Sequence, residues 1–368
     1  MLTLEIQDSP VYLGCTTEDF NTDKFINYKV FTCMNCSLIC TDGDQFETSY
    51  NSVHSEALGP TWERHHLSFS KFIKEHTEFN NWGHTLEIGT STSPIARSLT
   101  DFTKSITYID PITNPPFSLK DNEEYLSGFF PAVMPKTAPN VLIASHVLEH
   151  IPNTHSFIKS VFDVLPTDGE FFFSIPDFEF WLKSSYYNAL SAEHIVYPFR
   201  NNLENLCSTL DLSLTTERYQ NHSLFGKITA NRPQSSDILN WAPSLNIQLL
   251  DTWSNQFLFD SVTLEANSTR YDSIFICGAS HLSQYFILLS RGKIGVTAVL
   301  DNSSMKQGKR LYGTDVYVQS FESIIKHASP LIIIPPSPYQ GEMYSQILAI
   351  HPAATPLLLG EKNASVMQ

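Results

Sequence analysis

The stretch 84-HTLEIGTSTS-93 decides the fold: Leu86 and Ile88 carry a strand up to Gly89, and a run of hydroxyl side chains follows as a turn. Working outward, 105-SITYID-110 reads as a second strand closed by an acid, and 140-NVLIAS-145 as a third. Between the first two, 94-PIARSL-99 reads as a helix. Beyond the third come 146-HVLEHI-151 and 156-SFIKSVFDVL-165, a helix broken by Pro152, and then the turn 166-PTDG-169 delivers the strand 170-EFFFSIPD-177. Strands that alternate with helices imply a doubly wound α/β fold, a parallel sheet covered on both faces. In such a sheet ligands sit at the carboxyl ends of the strands, where an acid closing the second strand can accept hydrogen bonds from both hydroxyls of a ribose. Asp110 is that acid, although Asp110-Pro111 is also a turn dipeptide and a capping role competes.

Upstream, 61-TWERHHLSFSKFIKEH-76 places Trp62, His65, His66, Phe69, Phe72, Ile73 and His76 on one helical face and Glu63, Arg64, Lys71, Lys74 and Glu75 on the other. Residues 1–56 hold only short strand-like pieces (29-KVFTC-33, 37-SLICT-41), too little for a core without a staple. From 178 to 270 the pattern is irregular, with a helix in 201-NNLENLCSTL-210 and a strand pair near 223-SLFGKITAN-231. A second strand-turn-helix series follows: 273-SIFICGAS-280, 281-HLSQYFILLS-290, 293-KIGVTAVLDN-302 and 330-PLIIIPPS-337. The expected regions are therefore 1–56, a central domain at 57–265 and a Rossmann-like domain at 266–368. Length agrees, since 368 residues suggest two or three domains at roughly 150 each.

Composition excludes several function classes. With 23 basic against 38 acidic residues the net charge is −15, which repels a phosphate backbone or an anionic lipid surface, and no run of five Lys or Arg offsets it. Nucleic acid is not an expected partner. The opening MLTLEIQDSP has neither a basic region nor an apolar stretch, and the apolar runs near 287 and 332 fall far short of the ~20 residues of a membrane span, so a cytoplasmic chain without a membrane partner is expected. Oligomeric state is not readable.

The order TLEIGTSTS, TYIDP, VLIASHVLEHIPNTHSFIKSVFDVLPTDGEFFFSIPD resembles a class I S-adenosylmethionine-dependent methyltransferase. Only Gly89 remains of the usual glycine-rich loop; Thr90, Ser91 and Ser93 offer hydroxyls and amides in place of the missing glycines. The resemblance extends to F-x-C-x-x-C-S-L, W-x-x-H-H, A-E-H-I-V-Y, N-H-S-L-F and the C-terminal Rossmann-like unit, an order similar to that of the sugar C-methyltransferases. It implies S-adenosylmethionine as cofactor and a nucleotide-activated deoxysugar as the small-molecule partner, in polysaccharide or natural-product sugar pathways. Carried over residue by residue, Glu87, Gly89, Thr90, Ser91, Asp110, Ser145 and His146 face the cofactor. His194 with Glu193 removes a proton from the sugar, with His146 the alternative base. His65, His66, Glu149, Tyr197 and Gly278 are the candidate substrate contacts; core packing competes for the two helical histidines, and a first-turn role for Glu149 and His150. N- or O-methyl transfer on a related sugar is the alternative reaction, and a non-catalytic sugar-nucleotide binder the alternative from another class.

Cys33-x-x-Cys36 has the spacing of a zinc knuckle, but a structural site needs four ligands and only Cys15 and Cys40 lie near in sequence. Zinc on Cys33 and Cys36 stays open against a decayed site with buried thiols, which is the preferred expectation.

Overall fold

Side chains alternate across a strand, so a strand apolar at every position must be covered on both sides. Strands of this kind, VLIAS and EFFFSIP, stand in the middle of the seven-stranded central sheet of the computed structural model, which describes residues 1–42, 60–79, 81–90, 92–191, 193–230, 244–290, 293–337 and 339–360; the sheet's strands are named in chain order. They are β1 (Trp82–Ile88), β2 (Thr103–Asp110), β3 (Glu123–Ser127), β4 (Val141–Ser145), β5 (Glu170–Pro176), β6 (Ser213–Tyr219) and β7 (Ser223–Thr229). Their order across the sheet is β6-β7-β5-β4-β1-β2-β3. The first five run parallel, and β7 and β6 complete the sheet as an antiparallel hairpin against β5. Chain order reverses at β1, between β2 and β4, and this is where a doubly wound sheet opens its crevice.

Three helices cover the sheet: α1 (Pro60–His76), α2 (Thr154–Val164) and α3 (Arg200–Thr209). Within 171-FFF-173, Phe171 and Phe173 join Leu86, Leu142, Ile158 and Leu203 in one core, while Phe172 points oppositely to Phe69, Phe72, Ile106 and Ile143 in the other. The amphipathic reading of α1 holds, with His65, Phe69, Phe72 and Ile73 buried and Glu63, Arg64, Lys71, Lys74 and Glu75 exposed. Two expected helices are shorter than read. Of 94-PIARSL-99 only Ala96–Leu99 forms a 3-10 turn, and 146-HVLEHI-151 is reduced to the 3-10 turn Leu148–His150. The reasons are the carboxylate of Glu87, which takes the Ile95 and Ala96 amides at 2.8 Å each, and Pro152, which disfavours helical geometry at Ile151.

The described chain forms two compact units. One contains residues 32–178 and 193–243 and hence the whole seven-stranded sheet; the other contains 2–31, 179–192 and 244–368. In the second, five parallel strands stand in the order Val318–Gln319, Ala298–Leu300, Ser273–Cys277, Pro330–Ile334, Thr355–Leu358, a second doubly wound sheet as expected for the C-terminal region. The expected boundary at 265 falls inside the helix Ser244–Asn267, and the one at 56 lies outside the described residues. Residues 2–31 do not stand alone. The strand Cys15–Thr16 pairs with Arg310–Leu311, and Arg310 forms a two-pronged bond to Asp23 at 2.6 and 2.8 Å, so this segment shares a core with the C-terminal strands. Among the described residues no helix is long and apolar enough to cross a membrane.

Candidate active site

All the sheet's parallel strands end on one edge, and the site residues of the first unit gather there. Gly89, next after β1, has φ +72°, and a Cβ at this position would meet Val147 Cγ2 at 2.5 Å, so only glycine fits the turn. The Thr90 amide donates to Asp110 Oδ2 at 3.0 Å and the Ile112 amide to Oδ1 at 3.0 Å. The turn-capping reading of Asp110 is thus true as geometry, yet each carboxylate oxygen carries a second lone pair that a ribose hydroxyl can use. The buried Thr90 hydroxyl has no hydrogen-bond partner among the described residues. Glu87, expected to face the cofactor, is buried with both oxygens on the Ile95 and Ala96 amides; it holds the strand-end loop in place. Burial pushes its carboxyl up to about 7 against the pull of those amides. Ser145 at the end of β4 shares a hydrogen bond with Ser174 at 2.8 Å. Ser91 lies outside the described residues.

Two histidine clusters stand at this edge. In the first, ligand atoms of His65 from α1, His146 after β4 and His222 before β7 all lie within 4.8 Å of one another. His222 reaches the edge because β7 runs antiparallel to β5, which sets Ser223 opposite Pro176. His146 has φ +54°, a conformation uncommon outside glycine, and it turns the chain between the strand and the Leu148–His150 turn. The Trp62 ring closes over the cluster, its centroid 4.9 to 5.2 Å from those of the three imidazoles. Burial drives His146 and His222 down to about 3 and His66, half-buried at 6.1 Å from Trp62, to about 4; His65 falls well below its ordinary value for the same reason.

The second cluster joins Glu149, His150 and His194, again within 4.8 Å. Backbone zippering brings 193–197 to the Leu148–His150 turn: the Ile195 amide donates to the Glu149 carbonyl at 2.9 Å, and His150 Nδ1 lies 2.8 Å from the Glu193 carbonyl. On the other side the strand Ile39–Thr41 pairs with Val196–Tyr197, and Thr41 Oγ1 donates to the His194 carbonyl at 3.0 Å. This gives 37-SLICT-41 a purpose that its sequence did not show. The His194 ring packs edgewise on His150, Phe178 and Tyr197 at 5.0, 5.5 and 5.9 Å. Tyr197, expected to touch substrate, is fully buried beneath it. The carboxylate that gathers with His194 is Glu149; its sequence neighbour Glu193 offers its carbonyl to His150. Desolvation raises the Glu149 carboxyl to about 7, and its Oε1 is 3.0 Å from His146 Nδ1, which links the clusters.

Sequence reasoning passed over Trp62 and His222 as site residues. The signal for His222 was present in N-H-S-L-F, but only the antiparallel return of β7 shows that it faces His146. Gly278 belongs to the other unit, where φ +84° turns the chain after the strand Ser273–Cys277 and Asp301 accepts from the Ala279 amide at 2.8 Å.

Cys33, Cys36 and Cys40 are free, half-buried thiols. Amides of Cys36 and Asn35 lower the Cys33 thiol, while burial raises Cys36 and Cys40. Among the described residues no group of three or more His, Cys, Asp or Glu ligand atoms includes either Cys33 or Cys36.

Residues 63–217, from α1 to β6, match a family model described as a methyltransferase domain. None of the curated proteins matches the chain. Among solved structures it is similar to a DhpI-SAH complex (15% identity, TM-score 0.36, covering 48% of this chain and 90% of the other). It is also similar to 1,6-didemethyltoxoflavin-N1-methyltransferase of Burkholderia thailandensis (12%, TM-score 0.38, 46% and 79%). A third is the N-methyltransferase NodS of Bradyrhizobium japonicum with S-adenosylhomocysteine (12%, TM-score 0.35, 48% and 92%). Apart from 179–192, the matched residues lie within the seven-stranded unit and stop short of β7.

Proposed function

We propose that this S-adenosylmethionine-dependent methyltransferase acts on a nucleotide-activated sugar, with a carbon beside a ketone as the preferred acceptor. The observation that carries the reading is the meeting of two sets of groups on one sheet edge: Gly89, Thr90 and Asp110 at the ends of β1 and β2, and the Glu149, His150 and His194 cluster after β4. The sequence elements that resemble sugar C-methyltransferases support the substrate class, including Glu193-His194 and the second parallel-sheet unit.

The residues fit the cofactor. Asp110 would hold the two ribose hydroxyls, and the unpartnered Thr90 hydroxyl and the amides after Gly89 would meet the methionine carboxylate. When bound, S-adenosylmethionine supplies an electrophilic methyl group on a sulfonium. Orientation of the acceptor in line with that group accounts for much of the acceleration in this class of reaction. The remaining task is proton removal. His194 takes the acceptor proton on its imidazole; Glu149 beside it stabilises the resulting imidazolium, and Phe178 and Tyr197 fix the ring plane. At a carbon acceptor the electron pair of the broken C–H bond would pass to the neighbouring ketone oxygen, and the enolate carbon would take the methyl group as the methyl–sulfur bond breaks, its electron pair staying on the sulfur of the departing adenosylhomocysteine.

The test incubates the full chain with S-adenosylmethionine and nucleotide-linked ketosugars in deuterated water. Methylated product together with deuterium at the acceptor carbon is the expected result. Methylation without exchange under any turnover condition would move the reaction to nitrogen or oxygen. Failure to bind adenosylhomocysteine by calorimetry would overturn the enzyme reading and leave a sugar-nucleotide binder.

A further inference from the structure

The geometry points to a three-imidazole site for a divalent transition-metal ion of the zinc class, formed by His65, His146 and His222. Nothing in the methyl-transfer reading requires it; the inference rests on the cluster alone. Three elements distant in sequence deliver one nitrogen each, and the three ligand atoms lie within 4.8 Å of one another. Nitrogens about 2.0–2.1 Å from a tetrahedral ion stand roughly 3.4 Å apart, so small side-chain rotations close the set.

His65 is the second, independent observation. It is fully buried, and among the described residues neither Nδ1 nor Nε2 has a hydrogen-bond partner. The sequence reading allowed a hydrogen-bonded core histidine here, and the structure does not provide the bond. A buried polar nitrogen left unsatisfied costs about 1–3 kcal/mol, which a metal bond to its lone pair would remove.

The surroundings are those of metal-bound imidazoles. Such ligands turn their second nitrogen to a carboxylate, carbonyl or other acceptor that sets the tautomer and the ring orientation. His222 Nδ1 lies 2.6 Å from Ser223 Oγ in a hydrogen bond, and His146 Nδ1 lies 3.0 Å from the buried Glu149 Oε1, close enough for a slight ring rotation to make that bond. An ion taken on His146 Nε2 would displace that nitrogen's contact with Ser223 Oγ at 3.2 Å. An all-nitrogen donor set selects zinc, cobalt, nickel or copper over magnesium or calcium, and three protein ligands leave a fourth position for water or an acceptor oxygen.

The experiment strips the full chain with a chelator and titrates it with cobalt(II), then zinc(II). We expect about one ion per chain, visible bands of tetrahedral cobalt, no sulfur-to-cobalt charge-transfer band, and a nitrogen/oxygen shell by X-ray absorption. His65→Ala and His222→Ala should each weaken binding roughly 100-fold or more, and Glu149→Gln about 10- to 100-fold, whereas Cys33→Ser with Cys36→Ser leaves it unchanged. No binding, a sulfur charge-transfer band, or loss of the ion only in the cysteine variant would overturn the site. The absorption measurements on the unsubstituted chain decide the matter even if a histidine variant does not fold. Adenosylhomocysteine calorimetry on the stripped protein separates this inference from the methyltransferase reading, since the donor should bind whether or not the metal does.

Discussion

The two parallel sheets end their first strands in the same way. Gly89 and Gly278 both take positive φ, +72° and +84°, and their amides bond the neighbouring strand at Ile109 and Leu300. The next amide then meets an acid closing or following that strand: Thr90 to Asp110 at 3.0 Å, Ala279 to Asp301 at 2.8 Å. The other carboxylate oxygen of each acid caps the turn beyond, through Ile112 and Ser303. What differs is the company. Lys306 Nζ sits 3.6 Å from Asp301 and donates to the Ala279 carbonyl, so the second turn is closed on itself. The first is braced from below by the buried Glu87 and shares its sheet edge with two histidine clusters. Glycine plus acid at a strand end is what a tight turn between parallel strands requires; the neighbouring side chains decide whether it serves chemistry.

The largest expected effect lies in the clusters that the second unit lacks among its described residues. General-base catalysis is worth roughly 10²- to 10⁴-fold, so His194→Asn should lower turnover by about that factor while adenosylhomocysteine affinity stays the same. Full activity in this variant would remove His194 from the mechanism and make His146 the base to test.

The two glycines should then respond unequally. Gly278→Ala meets nothing closer than 3.8 Å and suffers only the positive φ, about 1–2 kcal/mol, whereas Gly89→Ala also drives a methyl group into Val147 and should cost about 1–3 kcal/mol more. Denaturant unfolding of the two variants measures the gap; equal losses would mean that Val147 yields freely.

The acids sharpen the contrast further. Charge-assisted bonds to two hydroxyls are worth on the order of 2 kcal/mol net, so Asp110→Ala should weaken adenosylhomocysteine binding by roughly 30-fold in calorimetry. Asp301→Ala should leave it unaltered. Equal weakening by both would break the distinction between the turns.

The smallest effect is one of pH. Burial holds the Glu87 carboxyl at about 7 against an ordinary 4.5, so the folded chain keeps this proton more tightly than the unfolded one. The contribution is present in full below about pH 4.5 and is lost as pH rises through about 7, on the order of 1–2 kcal/mol between pH 5 and 7. Glu87→Gln should flatten the stability profile in that window, even though its amide group faces a backbone N–H and lowers stability throughout. An unchanged slope would show that the Ile95 and Ala96 amides keep Glu87 ionised.

Much of the fold was legible because burial on both faces leaves an unbroken apolar run. The strands β1, β2, β4 and β5 and the helical face of α1 were read within a few residues of their ends. The strand β3 was not, because 123-EEYLS-127 lies at the sheet's edge and carries polar side chains that a strand covered on both faces excludes. The 24-residue helix Ser244–Asn267 was hidden for a related reason: its apolar residues follow no single face, and its end runs into the polar stretch that looked like a linker.

The sequence by itself determined the doubly wound architecture, the position of Gly89 and Asp110 at strand ends, and the acidic net charge, because strand periodicity, turn chemistry and net charge are local or summed properties. Tertiary structure alone decided which side chains meet. His65, His146 and His222 converge because α1 lies over the sheet while β7 returns antiparallel to β5; Glu149 comes to His194 because the 193–197 segment is zipped to the turn after β4. Glu87 turned inward for the same kind of reason, two free amides in a buried loop being a better partner for its carboxylate than a crevice open to water.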